Sequence, residues 1–267
     1  MTPVRAQASV NVAAIERNSV RLCDDLHGGA KLCAVVKADG YGHGAVQSAK
    51  AALAGGASWL AVATAREAVE LRDAGFADSR ILVMGALTEA ELRSAIEADA
   101  DVVVWSESYV RAVADAGGGR VHVKLDSGMG RLGTRDAEHA TRVLEAARST
   151  ISVQPVGLMS HFATADETDD DGFFAAQLET FSRWVRACRQ LQPELIAHVA
   201  NSAAMLRDAA SQFDMVRCGI AIYGMDPFGV DPFARGLDPA LTLTSYLAEV
   251  KPCATGQSAG YGRRFVA

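Results

Sequence analysis

Five short segments of this chain hold residues able to do chemistry. The first runs from Cys33 to Gly44, Cys-Ala-Val-Val-Lys-Ala-Asp-Gly-Tyr-Gly-His-Gly. Its apolar run ends in Lys37, and three glycines follow, interleaved with Tyr41 and His43. A lysine amine held out of water loses its charged form and becomes a nucleophile or a base. Glycines beside it let the backbone approach a ligand closely. The second segment, Val123 to Gly133, carries Lys124 and then Arg131 among Gly128, Gly130 and Gly133. A guanidinium there is a fixed planar charge with donors and no acceptor. The third, Ser160 to Asp166, contains His161, an imidazole with a flat body and a polar rim. The fourth pairs His198-Val-Ala-Asn-Ser202 with Arg217-Cys-Gly-Ile-Ala-Ile-Tyr-Gly224. Ser202 can donate its hydroxyl, and the N–H groups of Gly219 and Ile220 can point at an anion. The fifth is Gly260-Tyr261-Gly262. Each also has an ordinary reading: a strand-end lysine in a turn, a surface arginine, a satisfied core histidine, a packing tyrosine. His43, His161 and His198 lack the spacing of metal ligands, so no metal is expected.

These residues need a scaffold that gathers strand ends. Apolar runs recur at 33–36, 59–63, 81–84, 102–105, 121–125, 156–159, 196–199 and 215–216. Helical patterns lie between most of them. A helix over 12–26 would carry Val12, Ile15, Val20 and Leu22 and stop at Gly28 and Gly29. Thr64-Ala-Arg-Glu67 and Thr88-Glu-Ala-Glu91 read as capping boxes, and Gly75 as a helix stop. Residues 173–191 put Phe174, Leu178, Phe181 and Val185 on one stripe of a long helix. The acidic run from Asp166 to Asp171 reads as a solvated loop before that helix. Eight strand-like runs with helical connections predict a (β/α)8 TIM-like barrel, whose chemistry sits at the carboxyl ends of its strands. In such a barrel the loops after the last two strands are the usual phosphate cradle. No GxGxxG follows the first strand, which argues against a doubly wound sheet.

The expected division is a barrel over 1–225 and a different texture over 226–267. Pro227, Pro232, Gly236 and Pro239 read as a linker. Residues 240–250 then alternate as a strand, with Leu241, Leu243 and Leu247 on its apolar side. Residues 4–10 read as a short strand able to pair with that region.

Of the 267 residues, 49% are hydrophobic and 22% charged, in keeping with a globular protein of about one barrel's length. The net charge of −6, with both signs dispersed, gives no nucleic-acid surface. Five cysteines without CxxC spacing read as reduced thiols. No apolar run approaches the ~20 residues of a membrane span, and the N-terminus shows no signal-peptide core. The expected location is the cytoplasm.

Val-Val-Lys-Ala-Asp-Gly-Tyr-Gly-His-Gly resembles the pyridoxal-phosphate attachment segment of the alanine racemase family. Lys-Leu-Asp-Ser-Gly-Met-Gly-Arg, Ser-His-Phe-Ala-Thr-Ala-Asp and the two later segments match that family in order, over nearly the whole chain. The resemblance implies a fold-type III barrel followed by the opening of a truncated all-β domain. It implies that Lys37 bonds covalently to pyridoxal 5'-phosphate and serves as one base. Tyr41, Asn201, Ser202, Gly219 and Ile220 would hold the cofactor, with Tyr41 reaching its phosphate. Arg131 would meet the cofactor phenolate and the substrate carboxylate, and His161 would stack on the ring. Lys124 would be carbamylated. Arg217 would face the pyridine nitrogen; since an arginine accepts no proton, the ring would be a weaker electron sink, suited to returning the proton. Tyr261, supplied by the partner in a homodimer, would be the second base. The implied activity is interconversion of L- and D-alanine. A pyridoxal-phosphate carrier of the single-barrel homeostasis type, a racemase of another small amino acid, and a lyase or aldolase are the alternatives.

Overall fold

The computed structural model describes residues 5–169 and 171–267. Val4 of the expected first strand and Asp170 of the acidic run lie outside the described residues. The described residues form two compact units, residues 11–240 and residues 5–10 with 241–267.

The larger unit is the predicted barrel. Its strands are β2 (Lys31–Val35), β3 (Trp59–Val62), β4 (Arg80–Val83), β5 (Asp101–Val104), β6 (Gly119–Lys124), β7 (Val153–Met159), β8 (Ile196–His198) and β9 (Met215–Cys218). They pair in parallel in sequence order, and β9 returns to lie beside β2. The seam between β8 and β9 is bridged by Asp214 N–H to Ala197 O (3.1 Å) and Arg217 N–H to Ala200 O (3.0 Å). Each expected apolar run contributes a strand.

The period-2 alternation of the strands divides the core in two. Leu60, Val62, Ile81, Val83, Val121 and Val123 face the helices. Cys33, Val35, Trp59, Leu82, Val103, Met159 and Met215 fill the barrel interior. That interior also takes polar side chains: Asp101, His122, Lys124, His198 and Arg217 are all buried. Gly157 makes room for one of them, since a Cβ there would lie 2.1 Å from His122 Nδ1.

Both capping boxes form, at Thr64 with Glu67 and at Thr88 with Glu91. The long helix spans Phe173–Leu191 and buries Phe174, Gln177, Phe181, Trp184, Val185 and Cys188, with Leu178 only partly covered. The first helix, Val12–Asp24, corrects the expected stripe. Val12 and Val20 are exposed, while Ala14, Ile15, Asn18, Ser19 and Leu22 are buried. Asn18 is buried because its amide is fully used: it donates to Ile222 O (3.1 Å) and Asp238 O (2.9 Å) and accepts from Asp238 N–H (2.7 Å). The Pro-rich stretch after Gly224 is thereby bound to the barrel, with Leu237 and Ala240 buried.

In the smaller unit β1 (Ala6–Val10) pairs antiparallel with β10 (Leu241–Ser245), and β11 (Ser258–Ala259) with β12 (Phe265–Val266). Leu241, Leu243 and Leu247 are exposed. No helix among the described residues is long and apolar enough to cross a membrane.

Asn18→Ala would leave two buried carbonyls and one N–H of the 222–238 stretch without partners. The expected cost is roughly 1–3 kcal/mol in urea unfolding with the slope unchanged; an unaltered midpoint would show that these bonds are dispensable.

Candidate active site

Lys37 stands two residues past β2, at the carboxyl end of the barrel. The backbone after it is left-handed. Ala38, Asp39, Gly40 and Tyr41 have φ between 52° and 61°, a run that L-residues avoid. Several bonds hold it. Glu67 Oε1 accepts from Ala38 N–H (2.7 Å), while its Oε2 accepts from Ala63 N–H (2.7 Å) and Thr64 N–H (3.0 Å). Asp39 Oδ1 accepts from Ala45 N–H (2.8 Å). His43 stacks on Tyr223 with centroids 4.4 Å apart, and Tyr223 donates its hydroxyl to Val35 O (3.1 Å). The turn sends Tyr41 back beside Lys37, whose Nζ lies 5.9 Å from the tyrosine ring centre.

A cavity of about 360 Å³ opens here. Lys37, Lys124, Arg131 and Arg217 line it, with Asp166 as the acidic residue. Tyr41, His161, Asn201, Ser202, Gly219 and Ile220 complete the set expected of the barrel. Tyr261 belongs to the smaller unit, in the short turn Tyr261–Arg263, and its side chain is exposed.

The residues come from separate strand ends. Lys124 ends β6, and the loop after it is wound around Asp126, which accepts from Gly128 N–H (3.1 Å) and Gly130 N–H (3.0 Å). Arg131, at the tip of that loop, is exposed. The loop carrying His161 is tied down by Gln177, whose amide accepts from Ala163 N–H (2.9 Å) and donates to His161 O (3.2 Å) and Ser127 Oγ (3.3 Å). Ser202 Oγ accepts from Gly219 N–H (3.1 Å) and Ala221 N–H (3.3 Å). The Gly219 N–H is therefore engaged with Ser202. At Gly219 the tyrosine packs so close that a Cβ would lie 2.5 Å from Tyr41 Oη.

Arg217 projects inward from β9. It donates to His198 Nδ1 (2.7 Å), Ser160 O (2.8 Å), His161 Nδ1 (3.1 Å) and Val199 O (3.3 Å). Burial, reinforced by the Arg217 charge, holds His161 and His198 well below the usual imidazole range, so both are neutral. Burial first, then the charges of Arg217 and Arg131, bring Lys124 down to about 7. Lys124 thus has a substantial neutral fraction near pH 7.

Sequence reading missed Glu67, Gln177 and Asp126 as supports. Glu67 carried only its capping signal, and the Asx turn of Asp126 was visible in Asp-Ser-Gly. It also missed His122 and Asp101, polar letters at inward positions of apolar strands.

The family model for the N-terminal domain of alanine racemase matches residues 10–227. The chain belongs to the alanine racemase family. An alanine racemase of Thermobifida fusca is 39% identical over 98% of this chain and 71% of its own length. One from Beutenbergia cavernae is 41% identical over 97% of this chain and 70% of its own. The crystal structure of alanine racemase from D-cycloserine-producing Streptomyces lavendulae superposes with a TM-score of 0.89 at 36% identity, covering 100% of this chain and 72% of that one. The barrel is thus the fold of this family.

The lowered Lys124 sets a pH dependence with a definite sign. Between about 7 and the ordinary 10.5, the unfolded chain binds a proton at Lys124 that the folded chain does not. Its burial penalty is complete below about 7 and fades as pH rises toward 10.5, so this site adds stability with rising pH. Lys124→Met should flatten that rise in denaturant titrations at pH 7, 8 and 9; parallel curves for the two proteins would contradict the lowered value.

Proposed function

We propose that this chain is a pyridoxal-phosphate-dependent racemase that interconverts L- and D-alanine. The observation that supports this most is the cationic cavity with an amine at its rim, in a chain of the alanine racemase family. The residues present fit the cofactor. Four cationic side chains with one carboxylate suit an anionic ligand. The close approach of Tyr41 to Gly219, next to Ser202, makes a narrow polar cradle for a phosphate. When bound, pyridoxal phosphate supplies an electron sink for the bond between a substrate's α-carbon and its hydrogen.

The protein's own residues do the rest. Lys37 Nζ would hold the cofactor covalently, and its amine, when free, would take up or give back the α-proton on one face. Tyr41, Asn201, Ser202 and Ile220 would hold the anionic end, while Gly219, its N–H engaged with Ser202 Oγ, lets Tyr41 come close. His161, neutral, offers a flat ring face without adding charge. Arg217 offers donors only and would set a fixed positive charge against the cofactor's ring nitrogen. Arg131 has its planar fork free to meet a carboxylate, and the exposed loop tip lets it do so as substrate enters. Lys124's neutral amine can add to carbon dioxide with loss of one proton. The resulting carbamate is an anion facing Arg131 and Arg217. Tyr261 of a second copy is the base on the opposite face, so the working form is a homodimer. Residues 226–240 link the barrel to the opening of the β domain.

Each alanine enantiomer in deuterated water should show α-deuterium incorporation together with loss of optical rotation, and Lys37→Ala should abolish both. Deuterium uptake without inversion, or neither with the cofactor bound, would refute racemisation. Tyr261→Phe should suppress exchange from L-alanine more than from D-alanine; equal suppression would count against two bases on opposite faces.

A further inference from the structure

A line of buried polar side chains crosses the barrel interior from the amino-terminal pole to Arg217. Asp101 heads β5, His122 sits within β6, His198 ends β8, and Asp101, His122 and His198 are each 0% exposed. His122 Nε2 is 3.0 Å from Asp101 Oδ2, and His122 Nδ1 is 2.7 Å from His198 Nε2. His198 Nδ1 is 2.7 Å from Arg217 Nη1.

Only one arrangement of hydrogens fits these contacts. Arg217 has donors and no acceptor, so His198 Nδ1 must be bare. His198 is neutral, so its hydrogen lies on Nε2 and is donated to His122 Nδ1. His122 then carries its own hydrogen on Nε2 and donates it to Asp101. Each bond has one hydrogen, and all of them point from the guanidinium to the carboxylate. A reversal at any joint would set Nδ1–H of His198 against the N–H of Arg217.

We propose that Asp101 and His122 are positioning residues which, through His198, fix the direction of hydrogen bonding at Arg217 and so hold its guanidinium in place at the floor of the cavity. The inference deepens the racemase reading and rests on it for its kinetic consequence alone. The carboxylate is the anchor because it can only accept. Burial opposes its charge, but the hydrogen bonds from His122 and Arg80 and the charge of Arg80 outweigh that, holding it well below the usual carboxylate range. Arg80 Nη2 binds Oδ2 (2.5 Å) and Arg120 Nε binds Oδ1 (2.6 Å). Arg120 is the more buried of the two arginines, at 24% side-chain exposure against 37%. In Asp101→Asn the oxygen therefore stays with Arg120. The more exposed Arg80 gives way, and the NH2 faces His122. His122 must then accept at Nε2 and donate from Nδ1, which reverses His198 and puts a donor against Arg217.

The test has a readout that needs no turnover. In the full chain labelled with 15N-histidine, with or without added pyridoxal phosphate, NMR should show His122 and His198 both bare at Nδ1 and protonated at Nε2. Either ring protonated at Nδ1 in the wild-type chain would overturn the proposal without any variant. Asp101→Asn should shift His198 toward the Nδ1–H form. It should also lower kcat in both directions by roughly 10–100-fold, the size typical of outer partners of ligating histidines, with KM little changed. Rates are counted per cofactor bound, so lost binding is separated from a lost relay. Arg80→Met removes an ion pair but leaves both carboxylate oxygens as acceptors; it should leave both tautomers as they are. An Asp101→Asn protein with wild-type tautomers, or with wild-type kcat per bound cofactor, would reduce the chain of residues to packing. Failure of the wild-type chain to racemise alanine would refute the function proposed above, while the tautomer result would still decide the relay.

Discussion

A charged guanidinium buried at the end of a barrel interior sets the terms for everything near it. Moving such an ion out of water costs several kcal/mol unless each donor finds an acceptor. Arg217 is 2% exposed, and its Nη1 and Nη2 donate to two backbone carbonyls and two imidazole nitrogens. Those imidazoles stay neutral under its charge. Lys124 loses much of its charge beside it, after burial itself. What remains is a cavity with positive potential and fixed donors, ready for an anion. The polarity of the barrel interior is thus organised around one side chain.

The second constraint is the left-handed turn after Lys37. Ala38, Asp39 and Tyr41 each occupy a region that costs an L-residue about 1–2 kcal/mol. Such strain persists only where surroundings over-determine it. Here they do, because Glu67 reaches across from the helix Ala65–Asp73 while His43 and Tyr223 close the other side. The result is that Lys37 and Tyr41, four positions apart on one helical turn, face one cavity.

Much of this was legible in the sequence. The eight apolar runs became the eight strands, because strands buried on both faces need little else to be recognised. Lys37, Lys124, Arg131, His161, Ser202 and Arg217 meet in one cavity because each follows or ends a strand, and the barrel gathers its strand ends. Other features were out of reach. Val12 and Val20 looked like core, yet Asn18 is the residue buried, because its amide partners are more than 200 positions away in the chain. The left-handed turn after Lys37 is held at Ala38 by Glu67, 29 residues on from that alanine. Gly157 looks like an ordinary strand glycine until the His122 ring is seen lying against it. The relay itself is written as single polar letters in Asp-Val-Val-Val and Val-His-Val, and only closure of the barrel shows that they touch.

Two lysines face this cavity, in different settings. Lys124 is the buried one with the lowered pKa of about 7, whereas Lys37 stands at the rim on the strained turn. The account assigns the covalent bond to Lys37 on position, beside Tyr41 and the Ser202 cradle. Borohydride reduction of the chain loaded with pyridoxal phosphate, followed by digestion and peptide mapping, reports that bond directly. The account predicts one pyridoxyl tag, on Lys37. A tag on Lys124 or any other lysine, or no tag at all, would contradict it.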